Sequence, residues 1–301
     1  MSSLQNSKIV IVGLGLIGGS IARSLALSAP DCEIIAVGRN EPALQQALAD
    51  GSITGYATDL QIGCQDADLI ILGMPVLAIE ACLRELQPVL NPHTVITDVA
   101  SVKQAVVDSA VSVFGQVPDN FVPGHPIAGS ERSGYAASSA SLFAGRKTIL
   151  TPMANTSPEA LALVTQLWTL VGAEVVKMRV GYHDEVLAAT SHLPHLLAFA
   201  LVDTLSQQGE SEEIYRYAAG GFRDFTRIAS SDPVMWRDIF VTNGDATAKV
   251  LDRYIAELQG LRSSLLARDA DTLFAMCQRA KASRARFLEL LNAVPTAPAS
   301  D

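Results

Sequence analysis

The sequence has few cysteines, few aromatic residues and no cluster of basic residues. Its four cysteines show no C-x-x-C or other metal-ligand spacing, which argues against a zinc module and favours reduced thiols in a cytoplasmic protein. Acidic residues outnumber basic ones by 31 to 22, so nucleic acid is not an expected partner. No apolar run reaches the roughly 18 residues of a membrane span, and the first residues lack the apolar core of a signal peptide. These absences predict a cytoplasmic protein that binds neither nucleic acid nor membrane.

The strand and helix signals divide the chain into two regions. Short apolar, β-branched runs alternate with helical segments as far as Met178, whereas almost no strand signal occurs from Tyr182 onward. This order predicts an α/β, Rossmann-type fold with a doubly wound, mostly parallel sheet, followed by an all-helical C-terminal domain. We expect a first domain over residues 1–178, a helical domain over 179–294 and a flexible tail over 295–301.

The glycine-rich stretch Lys8–Ser20 predicts a dinucleotide site. A buried strand is followed at once by Gly13, Gly15 and Gly18 in G-x-G-x-x-G spacing, and then by apolar residues at helical spacing. The first glycine permits a tight turn, the second lets a pyrophosphate approach the backbone, and the third lets the helix pack close to the strand. The alternative is a packing turn without a ligand. The predicted cofactor-binding residues of this loop are Gly13, Leu14, Gly15, Leu16, Ile17 and Gly18.

The residue that follows the second strand favours NADP over NAD. An acidic residue about 20 positions after the glycines would bind the ribose 2′-hydroxyl of NAD. The predicted strand Glu33–Val37 is followed by Arg39, whose guanidinium suits a 2′-phosphate. The alternative is that Arg39 is an ordinary surface charge and that Glu41 contacts the ribose.

Two more strands predict the remaining cofactor contacts. Asp68–Gly73 and Thr94–Asp98 are both predicted as strands, and ligands of doubly wound sheets bind at the carboxyl ends of the strands. Lys147–Thr151 and Ala173–Met178 are predicted as further strands that complete the first domain. The residues predicted to lie beside the cofactor are Met74 and Pro75, after the strand Asp68–Gly73, and Ser101, after the strand Thr94–Asp98.

His125 is the leading candidate for proton transfer. It lies between Gly124 and Pro126 in a predicted loop, and the ordinary pKa of histidine lies near neutrality. The alternative is a structural loop histidine. Ser101 could hydrogen-bond this histidine or the nicotinamide, and it could equally cap the helix that follows.

The helical region contains further polar candidates. His192 and His195 share a helix face, which suits a substrate-facing pair or an interdomain contact better than a metal site without a nearby acid. Asp224 and Arg227 are one helical turn apart and could pair, leaving a guanidinium fork for a carboxylate substrate. The alternative is a solvated helix face, although nearby aromatic residues such as Trp236 argue against it.

Three helices of this region carry specific expectations. Val186–Leu205 has apolar residues at helical spacing, and Pro194 is expected to kink it. Pro233–Gln259 is a second helix with a break at Asn243-Gly244, and Ala270–Ala293 is a third.

Six segments occur along the chain in the order VGLGLIGGS, TDVASVK, PGHPIAGSE, SHLPH, GGFRDFTRIA and SDPVMWRDI. In this order and spacing they resemble the prephenate/arogenate (cyclohexadienyl) dehydrogenase family of tyrosine biosynthesis. The resemblance covers nearly the whole chain. It implies oxidative decarboxylation of a cyclohexadiene acid, with hydride transfer to a nicotinamide, and a helical second domain that forms a homodimer. Many relatives have an aspartate after the second strand, and Arg39 departs from that NAD pattern.

The resemblance also implies residue roles. His125 would accept the proton of the ring hydroxyl, and Ser101 would position that histidine and the nicotinamide. Arg227 would bind a substrate carboxylate, with Asp224 orienting it. The other substrate-binding residues implied are His195, His192, Glu131 and Trp236. No metal is implied.

Two other functions remain open at this point. One is a different reductase with a Rossmann and a helical domain, such as a β-hydroxyacid dehydrogenase or an imine reductase. These rely typically on a lysine or another group of the helical domain, and the lysines after Lys177, namely Lys249 and Lys281, lie in no suggestive motif. The other is a non-catalytic, NADP-sensing protein, which would need the glycine loop without His125, Ser101 and Arg227.

Overall fold

The computed structural model describes residues 4–207 and 211–292. Its contacts divide the chain into two compact units, Met1–Thr247 and the residues from Ala248 onward. The strands are β1 (Lys8–Val12), β2 (Glu33–Val37), β3 (Gly55–Ala57), β4 (Leu69–Leu72), β5 (Val95–Asp98), β6 (Phe121–Val122), β7 (Gly124–Pro126), β8 (Lys147–Leu150) and β9 (Glu174–Lys177). The α-helices are α1 (Leu16–Ser28), α2 (Glu41–Ala49), α3 (Leu60–Cys64), α4 (Ile79–Leu86), α5 (Lys103–Phe114), α6 (Pro158–Leu170), α7 (Val180–Leu187), α8 (Leu193–Ser206), α9 (Ser211–Arg216), α10 (Gly220–Thr226), α11 (Pro233–Thr242), α12 (Gly244–Ala267) and α13 (Ala270–Asn292).

A six-stranded parallel sheet forms the centre of the first unit. Its strand order is β3-β2-β1-β4-β5-β6. Alternate residues of β1 face opposite sides, so that Ile9 and Ile11 pack with α1 and α6, while Val10 packs with α4 and α5. Because both faces are covered by helices, the strands are mainly apolar. The Rossmann-type, doubly wound prediction is confirmed, and the strand order reverses between β1 and β4, where ligands bind in such sheets.

A second, three-stranded sheet corrects the predicted topology. The strands expected at Lys147–Thr151 and Ala173–Met178 exist as β8 and β9, but they do not extend the central sheet. They pair with each other in parallel, and β8 pairs antiparallel with β7. The stretch that includes β7 was predicted as a loop. Three residues are too few for an alternating pattern to indicate a strand, and Pro123, which lacks an N–H, interrupts the chain between β6 and β7.

The helical region of the first unit follows the prediction with one local difference. The helix expected over Val186–Leu205 is interrupted by a π-helical segment, Ala188–His192, just before Pro194. Proline cannot supply the N–H that would continue the α-helical bonds, which accounts for the irregular turn. The break expected at Asn243-Gly244 is present, since α11 ends at Thr242 and α12 begins at Gly244.

The compact unit that contains the sheet extends beyond Met178. Helix α7 packs against α5, and α11 packs against the 3₁₀ turn Val76–Ala78. The boundaries at 178 and 294 therefore stay a proposal about domains, and the predicted tail lies outside the described residues.

The continuous helical stretch Val180–Ser206 is long and apolar enough to cross a membrane by length and composition, which our reading of the sequence missed. The buried core helix of a soluble protein passes the same test, so this is weak evidence for a membrane span.

The helices of the second unit expose many large apolar side chains. None of the described side chains of α13 is buried. The exposed apolar residues from Ala248 onward are Tyr254, Ile255, Leu258, Leu265, Leu266, Phe274, Phe287, Leu288 and Leu290. Exposed apolar surface of this extent is typical of an interaction surface.

Candidate active site

Each glycine of the loop between β1 and α1 has a distinct steric environment. Gly13 has φ +99°, and a Cβ atom added there would lie 2.7 Å from the carbonyl oxygen of Gly73. A Cβ atom on Gly18 would lie 2.2 Å from the carbonyl oxygen of Gly13, so that α1 can approach β1 only through a glycine. Nothing lies within 4 Å of a Cβ atom added to Gly15. The loop is thus closed on the protein side and open on the side where a pyrophosphate would lie.

The N-terminus of α1 is suited to an anion. Gly15 is its N-cap residue, and no side chain caps the helix or places an acidic group in the first turn. The first N–H groups of a helix have no intrahelical partners and carry a positive partial charge. The end of β4 lies beside this loop, because Gly73 donates its N–H to the carbonyl oxygen of Val12. The chain continues from Gly73 into Met74 and Pro75. These residues fit the diphosphate of a dinucleotide.

Arg39 lies just after β2, at the same edge of the sheet. Its side chain is exposed, and it has no ion-pair or hydrogen-bond partner among the described residues. Glu41, the alternative ribose contact, is the first residue of α2. A free guanidinium at this position is available for a phosphate.

A buried lysine anchors the strand that carries His125. Lys103 and Asp98 are both fully buried and form an ion pair. Lys103 Nζ also donates to the carbonyl oxygen of Gly124 at 2.6 Å, while Asp98 Oδ1 accepts the N–H of Gly124 at 3.0 Å. Both backbone groups of Gly124 are therefore held at the carboxyl end of β5. This places the next residue, His125, at the edge of the sheet where the cofactor loop lies.

His125 is linked to Asp184 through a second histidine. His125 Nδ1 lies 2.9 Å from His183 Nε2, and His183 Nδ1 lies 2.7 Å from Asp184 Oδ1. His183 is fully buried, and Asp184 is 5% exposed. Asp184 also accepts the N–H groups of Lys103 and Gln104, both at 2.8 Å, and so caps the N-terminus of α5.

The surroundings of these groups shift their pKa values. Burial lowers the pKa of His125 well below its ordinary value, and the charges of His183 and Lys103 lower it further. Burial would raise the pKa of Asp184, but hydrogen bonds from His183, Lys103 and Gln104 outweigh burial and lower it. Burial lowers the pKa of Lys103 while the charge of Asp98 opposes this shift. A neutral His125 is therefore the resting form, as a proton acceptor must be.

Ser101 does not have the partner that the sequence suggested. Its side chain makes no hydrogen bond to His125 or to any other described residue. Helix α5 is capped by Asp184 instead of by Ser101. Ser101 is half-buried, one residue before the N-cap residue Val102. A role toward a bound ligand stays a prediction.

A stacked aromatic cluster contains the other two predicted histidines. His195 stacks on Trp236 with ring centroids 3.8 Å apart, and its Nδ1 donates to the carbonyl oxygen of Ser191 at 2.8 Å. Asn243 Nδ2 donates to His192 Nδ1 at 2.9 Å, which leaves the hydrogen of His192 on Nε2. Neither His192 Nε2 nor Trp236 Nε1 has a partner in the described parts of the chain, although both atoms are buried. Buried donors normally have partners, so this cluster is suited to a polar ligand.

Arg227 pairs with Glu131 rather than with Asp224, which corrects our prediction. The distance from Arg227 NH1 to Glu131 Oε2 is 3.2 Å. Asp224 is largely exposed and lies 3.7 Å from Arg223. Helix α10 ends at Thr226 and Arg227 begins a 3₁₀ turn, so the regular helical spacing that would pair Asp224 with Arg227 is not kept.

Sequence reasoning missed four residues of this site: Asp98, Lys103, His183 and Asp184. Asp98 and Lys103 lie in the TDVASVK segment, whose polar residues follow a strand end. That position was the available signal, and it was assigned to Ser101 only. The pair His183-Asp184 gave no signal, because its partners are 81 and 58 residues away in the chain.

Family models and known proteins match nearly the whole chain. Residues 21–177 match the model described as "Prephenate dehydrogenase, nucleotide-binding domain", and residues 180–279 match "Prephenate dehydrogenase, dimerization domain". The chain belongs to the prephenate dehydrogenase family. The resemblance seen in the sequence is thereby confirmed.

Individual members of the prephenate dehydrogenase family are similar to this chain over most of their length. A cyclohexadienyl dehydrogenase of Zymomonas mobilis is 38% identical, over 88% of this chain and 90% of that protein. A prephenate dehydrogenase of Bacillus subtilis is 39% identical, over 91% of this chain and 74% of that protein. The crystal structure of Aquifex aeolicus prephenate dehydrogenase with hydroxyphenyl propionate and NAD+ has a TM-score of 0.87 and 35% identity, and it covers 95% of this chain and all of that one.

Proposed function

We propose that this protein oxidatively decarboxylates a cyclohexadiene acid in tyrosine biosynthesis, with NADP as its preferred cofactor. The substrate would be arogenate, which yields tyrosine, or prephenate, which yields 4-hydroxyphenylpyruvate. The observation that carries the proposal is a neutral, buried His125 at the cofactor edge of the sheet of a prephenate dehydrogenase family member.

His125 is the proposed general base. Its Nδ1 is occupied by His183, so Nε2 is the nitrogen that remains for the ring hydroxyl. It would take the proton of the ring hydroxyl while the hydride leaves the ring carbon that bears this hydroxyl. The nicotinamide supplies the hydride acceptor when bound. Loss of carbon dioxide then makes the ring aromatic, which provides a driving force without a metal or a covalent nucleophile.

Two groups of residues would bind the substrate. The Arg227 guanidinium is exposed apart from its contact with Glu131 and is suited to a carboxylate. The aromatic cluster offers the N–H groups of His192 and Trp236 and the Nε2 of His195, none of which has a partner among the described residues. Glu131 could meet the ammonium group of arogenate, or it could act only as the partner of Arg227.

The preference for NADP rests on Arg39. The Aquifex prephenate dehydrogenase was crystallised in complex with NAD+. Here the end of β2 presents an exposed, unpaired guanidinium in place of an acidic residue, which favours a 2′-phosphate. Arg39→Asp should reverse or erode the ratio of kcat/KM for NADP to that for NAD. An unchanged ratio would contradict the phosphate-binding role.

The proposed assembly is a cytoplasmic homodimer. The region 180–279 matches a dimerization domain, and the second unit exposes apolar side chains on α12 and α13. A second copy of the chain is the partner that would cover them.

The first test is the initial rate of nicotinamide reduction, measured by absorbance. Prephenate and L-arogenate are each combined with NAD and with NADP. Turnover in any of the four combinations supports the reaction, and the fastest one identifies the substrate and the cofactor. No turnover in all four, from folded protein that binds NADP, would contradict it and favour a different reductase or a sensor.

Two variants test the residue roles within that assay. His125→Asn should lower kcat by about 10²-fold or more while cofactor binding is kept, because the general base is lost. Arg227→Ala should mainly raise KM for the acid substrate through loss of a charge-assisted pair. Normal kcat in the first variant, or normal KM in the second, would remove that residue from its role.

A further inference from the structure

With Asp184 ionised and both histidines neutral, the hydrogen-bond chain behind His125 has only one consistent arrangement of protons. A carboxylate can only accept, so His183 Nδ1 carries a hydrogen and donates it to Asp184 Oδ1 at 2.7 Å. In a neutral His183, Nε2 then has a free lone pair. That lone pair accepts from His125 Nδ1 at 2.9 Å, so His125 Nε2 is left without a hydrogen. The carboxylate thus sets the tautomer of a histidine with which it has no direct contact.

We propose that His183 and Asp184 are positioning residues that hold His125 as its Nδ1–H tautomer and stabilise the imidazolium that His125 forms. The inference rests on the proposed function only for the identity of the proton donor. Neither residue belongs to a motif that the sequence analysis singled out.

The proton balance explains why such stabilisation is needed. The O–H bond of the substrate breaks, a bond forms from the proton to His125 Nε2, and the freed electron pair makes the C=O bond as the hydride leaves. When carbon dioxide departs, the electron pair of the broken C–C bond enters the ring, and the oxygen takes the proton back from Nε2. His125 therefore holds a positive charge only between these events, and the site has to stabilise that charge without keeping the proton.

The contacts of Asp184 suit this temporary role. Besides His183 it accepts the N–H groups of Lys103 and Gln104 at the positive end of α5, and together these bonds keep its pKa below the ordinary value. The carboxylate therefore stays charged while the proton remains on the histidines. A negative charge two hydrogen bonds from His125 offsets the burial and the nearby Lys103, which both oppose the imidazolium.

Other charged groups also face His125 and have to be considered in any pH profile. Lys103 of α5 and its partner Asp98 of β5 hold Gly124, the residue before His125. His192 of the π-helical segment lowers the pKa of His125. All of them are kept in a variant that changes only His183.

Two substitutions of His183 separate the possible roles. His183→Gln can place a carbonyl oxygen near the position of Nε2 and so keep an acceptor for His125, whereas His183→Leu cannot. His183→Leu should lower kcat by about 10- to 10²-fold, with KM for the acid substrate and for the cofactor within about twofold, since the general base loses its orientation and its charge partner. His183→Gln should recover part of that loss. His93→Gln, at an exposed histidine outside the site, is the matched control and should behave as wild type.

A spectrum without substrate completes the test. Long-range ¹H–¹⁵N spectra of the histidine-labelled, ligand-free protein should show the Nδ1–H tautomer for His125 in the wild type and a different or mixed state in His183→Leu. Asp184→Asn is less informative, because it also weakens the cap of α5.

The outcomes distinguish this inference from the proposed function. An Nε2–H tautomer of His125 in the wild type would overturn the inference, as would wild-type kcat in folded His183→Leu. Absence of turnover in the wild type would instead contradict the proposed function, and the spectra would still decide the tautomer.

Discussion

Replacing Lys103 by methionine should be among the most destabilising single substitutions in this protein. The change leaves Asp98, which is fully buried, without its cation. Removing one partner of a buried pair costs about 3–5 kcal/mol of the free energy of unfolding. Asp98 keeps hydrogen bonds from the N–H groups of Ala100 and Gly124, which favours the lower end of that range. The carbonyl of Gly124 loses its donor, which adds about 1 kcal/mol. We therefore expect a loss of about 4 kcal/mol.

Urea denaturation, at one protein concentration for all variants, is the assay. Arg84→Met is the matched control, because Arg84 also pairs with an acid, Glu80, but both side chains are exposed. Its free energy of unfolding should stay close to that of the wild type, because solvent screens an exposed pair. Asp98→Asn combined with Lys103→Met should recover part of the stability, since the buried charge is removed with its partner. A loss below about 1 kcal/mol for Lys103→Met, with an unchanged denaturant slope, would refute the assignment of a charged, structurally essential pair.

Three further predictions concern the glycine loop, a buried histidine and the apolar helices. Gly18→Ala should weaken NADP binding by about tenfold or more in a fluorescence titration, because the added Cβ atom would lie 2.2 Å from the Gly13 carbonyl oxygen; equal affinity would show that the loop can yield without loss. Burial lowers the pKa of His192 to about 4. Below its ordinary pKa, near 6.5, the unfolded chain binds a proton that the folded chain does not, so stability should fall between about pH 6.5 and 4, by at most about 3 kcal/mol from this residue. His192→Asn should flatten that slope in urea titrations, and an unchanged slope would assign it elsewhere. Phe274→Asp, at a side chain that is 68% exposed in one chain, should shift the mass measured by light scattering from dimer to monomer, and an unchanged mass would place the interface elsewhere.

The sequence determined the parts of this protein that depend on neighbours in the chain. The strand, glycine turn and helix at Lys8–Ser20 are specified by β-branched residues, by a glycine with positive φ, and by glycines whose place cannot accept a side chain. The break at Asn243 and the irregular turn before Pro194 likewise follow from local backbone chemistry. The family resemblance also came from short local segments.

The tertiary structure decided which polar groups meet. Strands as short as β7 carry no readable pattern, so the pairing of β7 with β8, which in turn pairs with β9, became visible only in three dimensions. The end of a helix changed the partner of Arg227 from Asp224 to Glu131. Lys103 and His183 are buried because distant residues surround them and complete their hydrogen bonds. Burial and long-range hydrogen bonds are properties of the folded chain, and they set the surroundings of His125, the proposed base.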